Sequence, residues 1–126
     1  MEGYSAKIIS ASRELTAKEK IMFKDKSDAI MLDTVCEDGN HVKFTPVMYV
    51  ELSIHNEKSE RKDYENLLIV DTDGNRYVTG SPSFKSSFMD IWDEMKDFTD
   101  EPWGIDCYKL DSKNFKGKQF LTCSVM

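Results

Sequence analysis

The sequence predicts a β-rich α+β fold. Three observations support this class: apolar and polar residues alternate over 42–55, an Asp-Gly turn joins two β-forming segments near residue 74, and one long segment, 82–95, has strong helical periodicity. The chain has 126 residues, of which 40% are hydrophobic. This is enough apolar material for one core, so a single domain over residues 1–126 is expected.

A helical extension is expected over residues 1–40. The segment Thr16-Ala17-Lys18-Glu19 matches a capping box, in which the threonine and glutamate side chains satisfy free amides at the start of a helix. A short helix over about 17–23 should follow, with a further turn near 28–32. The segment Glu37-Asp38-Gly39-Asn40 then ends the extension.

Five strands are expected over residues 41–126. The first is the alternating segment 42–55, in which Pro46 should lie at an edge or a bulge because proline lacks the amide that pairs strands. The second (64–70) and the third (76–79) flank Asp73-Gly74, a pair typical of a tight antiparallel hairpin. The fourth and fifth are the alternating segments 103–110 and 118–125.

The helix lies between the third and fourth strands. Ser81 can cap its N-terminus, and Pro82 suits the first helical position. Its apolar face is formed by Phe84, Phe88, Ile91, Trp92 and Met95. Five strands with one helix in this place are the layout of the OB-fold, a small five-stranded Greek-key barrel. A generic α+β meander with the same element order is the alternative.

Strand parity predicts which residues face the core. Three sets should point inward: Met48, Val50, Leu52 and Ile54; Trp103, Ile105 and Cys107; and Leu121, Cys123 and Val125. The three cysteines, Cys36, Cys107 and Cys123, form no C-x-x-C pair, so reduced thiols in the core are expected.

Acidic and basic residues are unevenly distributed. The net charge is -6, and acids crowd residues 90–101, yet residues 112–126 contain three lysines and no acid. Nucleic-acid binding responds to a local patch rather than to net charge. The acidic balance therefore does not exclude a nucleic-acid partner.

The segment DSKNFKGKQF, residues 111–120, is predicted to be the loop between the last two strands, which OB-folds use to hold nucleic acid. Its lysines suit phosphates and its aromatic rings suit unpaired bases. By parity, Lys118, Phe120, Thr122 and Ser124 should point outward on the last strand, Tyr108 on the fourth, and Tyr49, beside Lys43, on the first. The candidate nucleic-acid-binding residues are Lys43, Tyr49, Arg76, Tyr108, Lys113, Phe115, Lys116, Lys118 and Phe120. The alternative is a solubilising hairpin in which Phe115 packs on the core.

No enzyme, metal site or cofactor is expected. The segment Asp71-Thr72-Asp73-Gly74-Asn75 resembles the start of a calcium loop, but the closing glutamate is absent and a hairpin turn is favoured. Glu94 and Lys96 lack an acidic partner on a strand. His41 and His55 accompany no nucleophile motif.

No apolar run is long enough to span a bilayer, and the chain does not start with a signal-peptide pattern. We therefore expect no membrane association and a cytoplasmic location.

The phrases TGSPSFKSSFMDI, SKNFK and GKQFLTC, with the element order from Val42 onward, resemble the small OB-fold single-stranded DNA-binding proteins of bacteriophages and mobile elements of Gram-positive bacteria. The resemblance implies a non-catalytic protein that protects single-stranded DNA in the host cytoplasm during DNA replication or recombination. It places Lys113, Phe115, Lys116 and Lys118 against DNA. Replication or recombination proteins, and further copies of the chain in a homo-oligomer, are candidate partners.

A different class of function is also open. The acidic helix residues Asp90, Asp93, Glu94 and Asp97 could mimic DNA phosphates or dock on a basic partner. The chain would then be a protein-binding module that acts as an inhibitor or adaptor of a host protein. An oligosaccharide-binding OB module is a third alternative.

Overall fold

A computed structural model describes residues 4–24, 29–58, 62–97, 101–111 and 117–126. Within these ranges it confirms a β-rich α+β fold, with strands in two sheets and few helices. In chain order the elements are β1 (Tyr4–Ala11), α1 (Ala17–Lys24), β2 (Ile30–Met31), α2 (Leu32–Val35), a 3-10 turn (Glu37–Gly39), β3 (Val42–Phe44), β4 (Pro46–Asn56), β5 (Asp63–Asp71), β6 (Arg76–Thr79), α3 (Pro82–Met95), β7 (Ile105–Asp111) and β8 (Gln119–Val125).

The strands of the described ranges number eight rather than the predicted five, and they form two sheets of order β1-β4-β5-β6-β2 and β3-β7-β8. Within the described ranges, the paired strands do not close into a single five-stranded barrel. The predicted first strand, 42–55, is divided into β3 and β4, which belong to different sheets. Pro46 is the first residue of β4, a position where a strand tolerates the missing amide.

The N-terminal segment differs most from expectation. Instead of a wholly helical extension, it begins with β1, which pairs antiparallel with β4 from Tyr4 opposite Asn56 to Ala11 opposite Val50. The register shifts between Ile8 and Ser10, so a bulge interrupts the alternation. Because of this bulge, and because the segment has few large apolar residues, the sequence of β1 shows no clear alternation of apolar and polar residues.

The predicted capping box is present at α1. The Glu19 amide donates to Thr16 Oγ1 at 3.2 Å, and the Thr16 amide donates to Glu19 Oε1 at 3.0 Å. Hydrogen bonds from the Arg13 guanidinium and from the Thr16 amide lower the pKa of Glu19 to about 2. The further turn expected near 28–32 is in part α2, which begins at Leu32, while residue 28 lies outside the described ranges.

The chain forms two compact units, Met1–Ile30 with Val47–Gly80 and Met31–Pro46 with Ser81–Met126. The predicted single domain over residues 1–126 stays a prediction. In the first unit, alternate residues of β4 are buried and pack with Phe23 and Leu68, as parity predicts. These β4 residues are Met48, Val50, Leu52 and Ile54.

The β5–β6 hairpin is confirmed. Val70 lies opposite Arg76, and Gly74 has a φ of 85°, which a residue with a side chain adopts only under strain. The buried Asp71 carboxylate accepts hydrogen bonds from the Asp73 and Asn75 amides, the Asn75 side chain and the Tyr77 hydroxyl. Burial alone would raise the pKa of Asp71, but these bonds outweigh it and lower the pKa. The acidic start of segment 71–75, which resembles a calcium loop, is therefore explained by the hydrogen bonds that the Asp71 carboxylate accepts within the turn.

In the second unit, α3 lies along β8. The Ser83 hydroxyl donates to the Leu121 carbonyl at 2.9 Å, and the hydroxyls of Ser87 and Thr122 are 3.0 Å apart. The predicted cap is present, since Ser81 Oγ accepts from the Phe84 amide. Phe84 and Phe88 are fully buried, as the helical spacing predicts.

Most parity predictions for this unit are confirmed, since Ile105, Cys107, Leu121 and Cys123 are buried. Val125 is an exception at 51% exposed, because β8 ends there.

Two further residues depart from the parity prediction. Thr122 is buried rather than outward, because its hydroxyl meets Ser87. Trp103 precedes β7, is half-buried and packs edge-to-face on Trp92 with ring centres 6.4 Å apart. No helix within the described ranges is long and apolar enough to cross a membrane.

Candidate nucleic-acid interface

The sheet β3-β7-β8 has two faces of different character. Its pairings place Val42 opposite Cys107 and Cys107 opposite Cys123, and residues of this parity make the buried face. Residues of the other parity form what we call the outer face. The outer face consists of Lys43 on β3, Asp106, Tyr108 and Leu110 on β7, and Phe120 and Ser124 on β8, while Thr122, which has the same parity, is buried where it meets Ser87 of α3.

Two of the predicted aromatic residues lie together on the outer face. Tyr108 is half-buried, and its hydroxyl hydrogen-bonds the Ser124 hydroxyl across the strands. Phe120 lies directly opposite Leu110, and these side chains are 38% and 45% exposed. Because opposite residues of an antiparallel pair stand side by side, Phe120 and Leu110 form an accessible apolar step next to Tyr108.

The charged side chains of the outer face are few. Lys43 is exposed, has no ion-pair partner among the described residues and lies directly opposite Asp106. Asp106 also accepts from Nδ1 of His41, at 2.9 and 3.0 Å to its two oxygens. The face therefore holds one carboxylate with two basic side chains beside it.

The sequence did not single out His41 as a site residue. It directly precedes β3 and has the parity of Lys43, two residues later. Its ring stacks on Tyr108 with centres 4.9 Å apart and an interplanar angle of 22°. The sequence could have identified His41, because a residue that lies two positions before an outward lysine in an alternating segment shares the face of that lysine.

The last two strands pair antiparallel up to Asp111 opposite Gln119, and the Gln119 side chain donates to Asp111 Oδ1 at 3.1 Å. The loop predicted between these strands lies mostly outside the described residues. Gly117 has a φ of 83°, in the left-handed region that favours glycine. Lys118 is exposed. The predicted site residues Lys113, Phe115 and Lys116 lie outside the described residues.

Tyr49 and Arg76 are not brought to the outer face. Tyr49 lies on β4, half-buried, and its amide donates to Ser12 Oγ at 3.0 Å. Arg76 lies on β6, and its Nη1 donates to the Met22 carbonyl at 2.9 Å. Both residues belong to the other sheet, and the guanidinium is engaged in fixing α1. Parity identified outward positions but could not say which sheet a strand joins.

The environment of the three cysteines disfavours the thiolate form. All three are free and buried, as predicted. Burial raises the pKa of Cys107 well above its ordinary range and that of Cys123 to about 12. The Cys36 thiol donates to the Cys107 carbonyl at 3.4 Å. Across the described parts of the chain, no cluster of three or more His, Cys, Asp or Glu side chains could hold a metal ion.

The second histidine has a different environment. His55, on β4, places Nδ1 2.7 Å from Asp63 and Nε2 2.6 Å from Glu57. Hydrogen bonds to Asp63 and then to Glu57 raise the pKa of His55. Lys62 Nζ lies 3.3 Å from Glu57. His55 thus fastens the start of the β4–β5 hairpin, with both ring nitrogens occupied.

Comparison with protein-family models, with curated proteins and with solved structures finds no significant match to this chain.

Proposed function

We propose that this chain is a non-catalytic single-stranded DNA-binding protein whose outer face contacts the bases. One observation carries the proposal: Lys43, Tyr108 and Phe120 lie on the same face of the β3-β7-β8 sheet, with Lys43 and Phe120 exposed and Tyr108 half-buried, opposite the face that buries Cys107 and Cys123. Single strands are held by aromatic rings against bases and by cations against phosphates, and each stacked base contributes about 1–3 kcal/mol. The chain is acidic overall, so stacking rather than net attraction is the main contribution.

We extend the proposal to the segment between β7 and β8. Leu110 and Phe120 lie one residue inside the ends of β7 and β8 that flank this segment, so its lysines are near the apolar step in sequence. In the proposal, Lys113, Lys116 and Lys118 contact phosphates and Phe115 stacks on a further base. Replication or recombination in a host cytoplasm is the proposed setting, with proteins of those processes and further copies of the chain as proposed partners.

We also propose that the architecture is a modified OB barrel. The segment 42–56 supplies β3 to one sheet and β4 to the other, so it neighbours β7 at its start and β5 along its later part. A five-stranded Greek-key barrel needs a strand that serves two sheets in this way. With β3 and β4 counted as one strand, the order is strand, strand, strand, helix, strand, strand. In this proposal β1 and β2 are additions.

The test is a fluorescence titration with oligo-dT and with duplex DNA of the same length. Binding to oligo-dT should exceed binding to duplex at every salt concentration, because stacking needs unpaired bases and duplex offers mainly phosphates. Equal binding to both, or no binding to either at low salt, would contradict the proposal.

The acidic helix supports a second candidate, a module that inhibits or adapts a host protein. Asp90, Asp93 and Glu94 are exposed on α3, whose other side buries Phe84 and Phe88. The two candidates are separated by reversing charge at Asp90 and Asp93. Oligo-dT binding should survive this change under the first proposal. Absence of oligo-dT binding by the parent chain, together with loss of a captured protein partner on charge reversal, would favour the second.

A further inference from the structure

The outer face contains a histidine whose two nitrogens have different environments. His41 Nδ1 faces both oxygens of Asp106, at 2.9 and 3.0 Å. An ionised carboxylate only accepts hydrogen bonds, so Nδ1 carries the proton in either charge state of the ring. Nε2 has no partner among the described residues, and the side chain is 49% exposed. Protonation therefore changes the ring at Nε2 alone, from an acceptor to a charged donor.

The position of that nitrogen is fixed by two contacts. Asp106 holds one edge of the ring, and stacking on Tyr108 at 4.9 Å holds its plane. A ring held in this way loses little conformational freedom when a ligand binds. Tyr108 is also a proposed stacking residue, so a base on Tyr108 brings its own phosphates to the neighbourhood of His41.

The charges around His41 favour an anion only when the ring is protonated. From β7 it is faced by Asp106 and Tyr108, and from β3 by Lys43. On β8, opposite Asp106, lies the uncharged Ser124. Glu37 of the preceding 3-10 turn approaches Lys109 Nζ, at 3.9 Å. With a neutral ring, the Asp106 carboxylate and the Lys43 cation of the outer face balance each other, whereas a protonated His41 ring makes this group of charges net positive.

We propose that His41 is a further DNA-contacting residue of the outer face, and that its protonated Nε2 donates to a phosphate oxygen of the bound single strand. This inference rests on the proposed function. A phosphate beside Nε2 favours the protonated ring, so DNA binding takes up a proton. By linkage the affinity should rise as the pH falls.

The experiment measures oligo-dT affinity between about pH 6 and about pH 8, the range of histidine titration, at constant ionic strength. Wild type should lose about three- to tenfold in affinity over this range, as expected for one charge-assisted contact. His41→Gln should bind weakly with a change of less than about twofold. His41→Lys should bind at the level of low-pH wild type with an equally flat profile, because its cation is permanent.

The matched control is His55→Gln. His55 is the other histidine, with a side chain 40% exposed against 49% for His41, but both its nitrogens face carboxylates. This variant should keep the wild-type pH profile. A profile that persists in His41→Gln, or that disappears in His55→Gln, overturns the inference while the proposed function stands. Absence of oligo-dT binding at any pH overturns the proposed function itself.

Discussion

Phe120 and Leu110 lie opposite each other on β8 and β7, and each leaves more than a third of its surface in water. An exposed apolar pair on a small sheet has no role in the core, but it gives a base a surface to cover. Tyr108 and His41 continue that surface as a stacked pair. Under the proposed function, these rings supply affinity for the bases, while Lys43 and His41 position the phosphates.

The contribution of an aromatic ring to DNA affinity can be measured with two substitutions on β8. Phe120→Ala should weaken oligo-dT binding by about 1–3 kcal/mol with an almost unchanged salt dependence, because stacking releases few counterions. Val125→Ala is the matched control, since Val125 is also exposed on β8 but has the other parity. Equal losses in both variants would show that the outer face is not the contact surface.

The lysine contribution has a different signature. Lys43→Ala should weaken binding modestly and reduce the slope of log affinity against log salt by about 0.7, as expected for one lost phosphate contact on a single strand. Salt titrations of wild type and variant measure this slope. Lys109→Ala is a suitable control because Lys109 has the parity of the buried face. An unchanged slope in Lys43→Ala would remove Lys43 from the site.

At the scale of elements, the sequence correctly predicts those features whose hydrogen bonds join residues close together in the chain. The capping box at Thr16, the Ser81 cap and the Asp73-Gly74 turn are all present as the sequence predicts. Each of these patterns is satisfied within five residues. The bulged strand β1 and the division at Pro46 were not predicted, because both depend on pairing with distant segments.

The Ser81 cap gives a prediction for the stability of α3. Ser81→Ala should lower the free energy of unfolding by about 1 kcal/mol, because the Phe84 amide loses its acceptor. Ser86→Ala is the control, since Ser86 is exposed within the same helix and alanine favours helix. Chemical denaturation monitored by circular dichroism measures both. A smaller loss for Ser81→Ala than for Ser86→Ala would contradict the capping role.

At the scale of the whole molecule, the class of fold follows from the sequence, but the grouping of the site does not. Parity correctly placed Lys43, Tyr108 and Phe120 outward on their strands, and the pairing of β3, β7 and β8 unites them on one face. Tyr49 has the same kind of outward parity yet belongs to the other sheet. Parity is a property of one strand, whereas sheet membership is set by tertiary pairing.

The most direct test of single-stranded DNA binding by the outer face is a two-dimensional amide NMR titration of the protein with oligo-dT. Shifted resonances should concentrate in β3, β7, β8 and residues 112–118, with Lys43, Tyr108 and Phe120 among them. Addition of the matching duplex should give weaker changes. Shifts confined to the exposed carboxylate side of α3 or to β4–β6, or no shifts at saturating oligo-dT, would contradict the claim that the outer face binds single-stranded DNA.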